Sequence, residues 1–296
     1  TDRMSDVLER LAPAVFVLIW STGWIVAKVV AVAGGDPLTF LILRYVIAGM
    51  LIGAFALAVR AEWPARGRDW GHAAITGILL HAIYLGGVWW PISAGLPAGL
   101  SAVIVALQPL LTAVLAAPLI GERLSPRNAA GVLIGFCGVL LVLAPRLVGL
   151  SGAGLSGMLI PIAVNIASTI AVTLGTFYQK RFAATGDLRT ITVVQYLGAL
   201  VVTLPVAWLI EPMQIPMTRD TIYAALWSIL VLSIGAIFLM LMLIRRGAVS
   251  RVASLIYLVP PTAAIQAWLL FGETMSAVQI LGLVTTAAGV YLATRK

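Results

Sequence analysis

Charge is scarce in this chain. Only 10% of its 296 residues are Asp, Glu, Lys or Arg, against 61% apolar. A water-soluble domain needs about a quarter of its residues charged to cover its surface, so a soluble fold is excluded. Cysteine and histidine are scarcer still, at one and two. Cys137 has no partner for an internal disulfide, and with His72 and His81 alone neither a metal nor a cofactor is expected. Flanked by Phe136 and Gly138, Cys137 reads as a small interior residue. Carboxylates are missing from the middle of every apolar stretch: all 11 lie in the N-terminal tail, in loops or near stretch ends. That removes the clustered acids of a membrane enzyme. It also removes the buried Asp or Glu on which many proton-driven carriers hold their proton. No loop carries a basic run interleaved with aromatics, so the net charge of +8 does not point to nucleic acid.

What the chain does have is long apolar stretches. One helical crossing of a bilayer takes about 20 apolar residues. Stretches of that kind run near 11–31, 38–59, 70–91, 97–119, 127–146, 155–179, 189–210, 220–244, 250–271 and 276–294. Turn chemistry separates them: Gly34-Gly35-Asp36-Pro37, Gly95-Leu96-Pro97, Ser125-Pro126, Gly186-Asp187, Glu211-Pro212 and Gly272-Glu273. The pattern predicts an all-α membrane protein of ten transmembrane helices. Ala31-Val32-Ala33 resembles a signal-peptidase site, but the run before it is span-length, so it reads as an uncleaved first span.

Basic residues set the expected orientation. With the N-terminus inside, Arg146 and Arg219 are the only cations in outer loops, and Lys28 and Arg44 lie within spans. The remaining Lys and Arg fall in the two tails and the loops near 60–68, 123–127, 180–189 and 245–251. This predicts both termini cytoplasmic in a multi-pass inner (plasma) membrane protein.

The chain also repeats itself. At a constant offset of 151, Pro109 matches Pro260, Gly121 matches Gly272, and Glu122 matches Glu273. Ser125 matches Ser276, Gly131 matches Gly282, Gly138 matches Gly289, and Arg44-Tyr45 aligns with Gln195-Tyr196. Five spans per repeat is odd, so the second copy enters from the opposite side. The expected organisation is two inverted five-helix repeats, 1–148 and 149–296, around a central cavity.

These paired P-x(11)-G-E-x-x-S segments, with Trp20-Ser21-Thr22-Gly23-Trp24 and Arg44-Tyr45, resemble the drug/metabolite transporter superfamily in its ten-span, EamA-type branch. Within it the chain is most similar to bacterial aromatic amino-acid exporters. The resemblance implies a secondary transporter, not an enzyme, exporting small organic metabolites, amino acids and aromatic ones included, by alternating access. Its partners are then the small-molecule substrate and the lipid bilayer, with a monomer or a higher state both open. The alternatives are a carrier for another metabolite or drug class, or a facilitative channel, though no filter-like segment is visible.

Candidate substrate contacts are polar or aromatic groups at membrane depth. His81 lies near the middle of the third span and is a proton acceptor, a substrate contact or a neutral interhelical bonder. Arg44 attracts a carboxylate or bonds carbonyls, and Lys28 reads as reaching outward to the interface. The interior amides Gln108, Asn165 and Gln266, with Gln195 nearer the inner end, suit a zwitterion or join helices. Trp20, Trp24, Tyr84, Tyr196 and Tyr257 line a cavity or pack helices. Trp63, Trp70, Trp208, Trp227 and, with them, Trp89 and Trp90 read as interfacial anchors. Pro109, Pro260 and Pro261 are mid-span and symmetry-related, which makes them hinges or static kinks. Gly131, Gly135 and Gly138, mirrored by Gly282 and Gly289, permit close helix approach.

Overall fold

The computed structural model describes residues 2–120, 125–148, 153–183, 186–235, 239 and 259–294, with side chains from residue 15 onward except at 116–120, 146–147, 153–156 and 294. The described chain is helical without a strand. In order come α1 (Asp2–Val32), α2 (Pro37–Ala58) and α3 (Gly67–Gly77), the last running through a π-helical turn (Ile78–Ile83) into α4 (Tyr84–Ser93). Then follow α5 (Ala98–Val105), α6 (Gln108–Ile120), α7 (Pro126–Leu147), α8 (Ala153–Phe182) and α9 (Leu188–Ile210). α10 (Arg219–Leu226) continues into a second π-helical segment (Trp227–Gly235), and α11 (Val259–Phe271) and α12 (Ala277–Thr294) close the order.

Seven stretches are long and apolar enough to cross a membrane: Val15–Val32, Pro37–Ala58, Gly67–Ser93, Ala98–Leu115, Pro126–Pro145, Gly157–Phe182 and Leu188–Ile210. Val259–Phe271 and Ala277–Ala293 are shorter apolar helices. Arg219–Gly235 runs to the edge of the described residues. Large apolar side chains cover the outside, among them Val201, Leu209, Leu133 and Trp208, the last 73% exposed. Water would not tolerate that surface and lipid does. Cys137 lies on it as well, exposed rather than interior, because its side of α7 faces away from the neighbouring helices.

Local chemistry sets the helix ends. Ser125 caps α7 by accepting from Asn128 N at 3.2 Å, with Pro126 at the first helical position. Thr218 caps α10 through Thr221 N. Gly95 and Gly272, at φ +99° and +66°, end α4 and α11 in the left-handed region that a side chain resists. Asp187 caps α9, accepting from Arg189 N at 2.9 Å and Arg189 Nε at 2.8 Å. The Arg189 side chain holds this carboxyl below its usual range, ahead of the opposing effect of burial. A depressed pKa stabilises the fold above the ordinary carboxylate pKa of about 3.9, and that contribution is lost as pH falls through the lower folded value. Asp187→Ala is therefore expected to cost about 1 kcal/mol at neutral pH. The deficit relative to wild type should shrink in acid, as read by thermal unfolding at several pH values.

Glycines let the helix backbones come close. α7 lies along α12 with their glycine faces interleaved: a Cβ on Gly138 would stand 2.8 Å from Gly282 O, and one on Gly289 would stand 2.7 Å from Gly131 O. α3 crosses α9 in the same way, with Ala74 Cα 2.7 Å from a Cβ on Gly198. α2 also packs on α9, α4 on α8, and α5 and α1 on α11.

One end of the bundle is tied shut by carboxylates. Glu211, after α9, accepts from Leu38 N (2.9 Å), Thr39 N (2.8 Å) and Thr39 Oγ1 (2.8 Å) at the start of α2. Glu273, after α11, accepts from Ala98 N and Gly99 N, both at 3.3 Å, at the start of α5. Each carboxylate sits at a positive helix N-terminus and takes up free N–H groups. Asp36 and Gln214 exchange backbone and side-chain bonds between their two loops. Lys28 reaches toward this end, where its Nζ lies 3.3 Å from Glu273 Oε1 and so finds a carboxylate that α11 brings to it.

Candidate functional site

A cavity of about 500 Å³ lies inside the bundle, within the range of small-molecule sites. Its wall reaches Gln179 at the end of α8 and Leu188 at the start of α9. Toward the tied end it stops at Trp89 and Ala102, short of the loops. It is therefore blocked at the end tied by Glu211 and Glu273.

The helix carrying His81 is π-helical there, a form common at functional sites because it widens one turn and shifts the side chains that follow. Tyr45 donates its hydroxyl to the His81 carbonyl at 2.9 Å. The Tyr196 ring stacks on Tyr45 at 5.3 Å and meets the His81 ring edge-on at 5.0 Å. Shifted by the repeat offset, Ile78–Ile83 becomes 229–234, inside the second π-helical segment. Both segments contribute to the wall, through His81 on one and Leu232 and Ser233 on the other.

Opposite them the chain breaks at Ala106-Leu107. Leu107 N bonds back only to Ile104 O, and α6 restarts with Gln108-Pro109. Proline has no N–H and its ring crowds the preceding turn, so the helix cannot run through. Pro260-Pro261 lie at the edge of the described residues of α11. All three prolines line the cavity.

Among the sequence candidates, the structure brings Trp20, Trp24, Arg44, His81, Tyr84, Gln108 and Tyr196 to the cavity wall. Asn165 is not there: it is fully buried between α8 and α4, donating from Nδ2 to Gly87 O at 3.1 Å. Gln266 is also off the wall, its Nε2 turned to Leu18 O. Tyr257 lies outside the described residues. Trp89 is no interfacial anchor, being 1% exposed and stacked on Phe40 at 5.5 Å with an edge in the cavity. Trp63 and Trp70 do stack on each other near a helix end. The wall also holds Thr176, Gln179, Thr192, Ser233 and Thr286, which sequence reading passed over. Hydroxyls bonded to their own helix, as Thr286 is to Gly282 O, leave no mark in a hydropathy pattern. The Arg44–Gln195 match in the repeat was a usable signal: both side chains line the wall.

Arg44 is 8% exposed and donates from Nε to Ser233 Oγ at 2.9 Å. Trp24 Nε1, His81 Nδ1 and Gln195 Nε2 are buried without a hydrogen-bond partner among the described residues. Among the described residues no carboxylate stands in the wall. The arrangement offers polar hydrogen and positive charge to a guest inside aromatic and aliphatic surroundings.

The EamA-like transporter family matches residues 11–144 and 159–295. The chain belongs to that family. It is a membrane transporter, as are its relatives by name. "Uncharacterized transporter YvbV" of Bacillus subtilis is 26% identical over 96% of this chain and 90% of its own length. "Uncharacterized inner membrane transporter YedA" of Escherichia coli is 27% identical over 94% of this chain and 87% of its own. A "Probable amino-acid metabolite efflux pump" of Salmonella typhimurium is 28% identical over 68% of this chain and 69% of its own. A crystal structure 21% identical in sequence superposes with a TM-score of 0.64 over 96% of this chain and 95% of that one, which establishes the fold alone.

Proposed function

We propose that this EamA-family transporter is a secondary carrier that exports small organic metabolites, amino acids and aromatic ones first, by alternating access. Ten spans in two inverted repeats, 1–148 and 149–296, sit in the inner membrane with both termini cytoplasmic. The observation that carries the reading is the cavity itself, blocked at one end and walled by residues that the offset of 151 relates: Arg44 and Gln195, His81 and Leu232, Pro109 and Pro260. Two near-equivalent halves around one site is the design that lets a carrier exchange which side is open. The relatives called amino-acid metabolite efflux pumps support the substrate class. Trp20, Trp24, Tyr84, Tyr196 and Trp89 stack the apolar body, and Arg44 with the free polar hydrogens near it takes the carboxylate.

With no carboxylate in the wall, transport is facilitative or coupled through His81. Uptake of a labelled amino-acid panel into proteoliposomes, with and without a pH gradient, is the test. Gradient-independent equilibration of neutral and aromatic amino acids supports a facilitative carrier. Accumulation driven by the gradient makes His81 the coupling group. No movement of any amino acid overturns the substrate class. Pro109 acts here as a hinge at the α5–α6 break. Pro109→Ala restores a helical N–H, so transport should slow roughly tenfold with binding little changed. An unchanged rate makes the break a static kink.

A further inference from the structure

Arg44 is a nearly buried cation with no counter-charge. Its described hydrogen bond uses Nε alone, and no described residue takes its two terminal NH2 groups. Every carboxylate whose side chain is described is committed or distant. Asp36, Glu211 and Glu273 bind helix ends and loops at the tied end. Asp187 holds Arg189, and Asp69 lies beside Arg68. Glu62 and Asp220 are exposed. Residues 221–272, which include the longest undescribed stretch, contain no Asp or Glu at all. Glu9 stands about 22 Å along α1 from Trp24 at 1.5 Å per helical residue.

A buried unpaired guanidinium is expensive in a membrane, and a bound anion removes the cost. The same wall carries Trp24 Nε1 and Gln195 Nε2, two more buried polar hydrogens without a partner among the described residues. As donors without acceptors they suit an acceptor-only group with several lone pairs, which is what a carboxylate offers. A positive group finds no equivalent. It meets the same +1 charge and no described carboxylate, and its partners are neutral: aromatic faces, the amide oxygens of Gln108, Gln179 and Gln195, and hydroxyls such as Thr176, Thr192 and Thr286.

We propose that the Arg44 end of the cavity is a carboxylate subsite that recognises the acid group and leaves an amino group unread, so that the preferred ligands are aromatic or aliphatic organic acids of net negative charge, bound more tightly than the zwitterionic amino acids of the same skeleton. This rests on the transporter reading above and, within its small organic metabolites, moves the preferred ligand from amino acids to organic acids. A monoanion brings the buried charge to zero. A zwitterion brings the same carboxylate and leaves an ammonium desolvated beside a cation.

The test is binding to the purified full chain in detergent at neutral pH, read by the fluorescence of the wall tryptophans and by thermal shift. The probes share one phenyl skeleton: phenylpropanoate, phenylalanine, phenylpropanol and phenethylamine. The expected order is anion, then zwitterion and neutral alcohol, then amine, with phenylpropanoate roughly tenfold tighter than phenylalanine. Arg44→Gln should weaken phenylpropanoate by about tenfold or more and erase its advantage, while Arg44→Lys keeps the order. Phenylalanine equal to or tighter than phenylpropanoate overturns the proposal, as does an Arg44→Gln protein with undiminished anion binding. Should Arg44→Gln fail to fold, the wild-type ligand order decides alone. Absence of binding by every probe overturns it too, while transport of some other solute in proteoliposomes would leave the carrier reading standing. Anion binding without transport of any solute sinks the carrier reading and not the subsite.

Discussion

Gly289→Leu is expected to leave little properly folded protein and to lower its stability in detergent by roughly 3 kcal/mol or more. A Cβ at Gly289 would fall 2.5 Å from Gly135 Cα and 2.7 Å from Gly131 O, against backbone that cannot turn aside as a side chain can. Between helices in lipid there is little hydrophobic drive to associate, so close backbone approach and dispersion must supply the contact. Prying α7 from α12 by the width of a leucine removes it along the whole seam. Leu133→Ala, on the same α7 but 67% exposed, should have almost no effect. Size-exclusion profiles and thermal unfolding of the two variants separate the cases. A Gly289→Leu protein that melts like wild type would show that this seam does not hold the fold.

Glu211→Ala is the second large effect. The carboxylate bonds two N–H groups and one hydroxyl at the start of α2, where Pro37 has no N–H of its own to offer. Removing it strands the Leu38 and Thr39 N–H groups in a half-buried site and takes a negative charge from a positive helix end, for about 2–3 kcal/mol. Since this tie lies at the blocked end, the loss should also favour opening there. Ala102→Cys in a Cys137→Ser background places a thiol on the wall near that end. Its labelling by an impermeant maleimide from the Glu211 side should rise several-fold in Glu211→Ala, and less in Glu211→Gln, which keeps an acceptor. Unchanged melting and labelling would remove Glu211 from any role in closure.

Helix limits were legible because lipid and turn chemistry write them locally. Pro126, Asp187 and Gly272 stand where the sequence placed boundaries, and the expected and observed ends of α2, α7 and α9 differ by a residue or two. The repeat was legible because it is a property of spacing. Hydropathy could not say which side of a helix faces a neighbour. Trp89 and Trp208 look alike in sequence near span ends, yet one is buried against Phe40 and the other faces outward. Cys137 was misplaced for the same reason: with apolar residues all around the helix, the usual contrast between an inside and an outside face is absent, and for Asn165 the same lack left substrate contact and helix joining undivided.

Composition, spacing and charge by themselves determined that this chain is a helical membrane protein, where its apolar helices start and stop, and that its two halves match at one offset. Only tertiary structure decided what Lys28, Glu211 and Glu273 are for, that Gln195 joins Arg44 at one wall, and that the cavity is blocked at one end. Those facts come from contacts between residues 150 or more positions apart, such as Glu211 with Thr39 and Arg44 with Ser233. A local pattern encodes the propensity of a segment. It does not encode which distant segment will satisfy the polar groups that a helix end or a buried side chain leaves open.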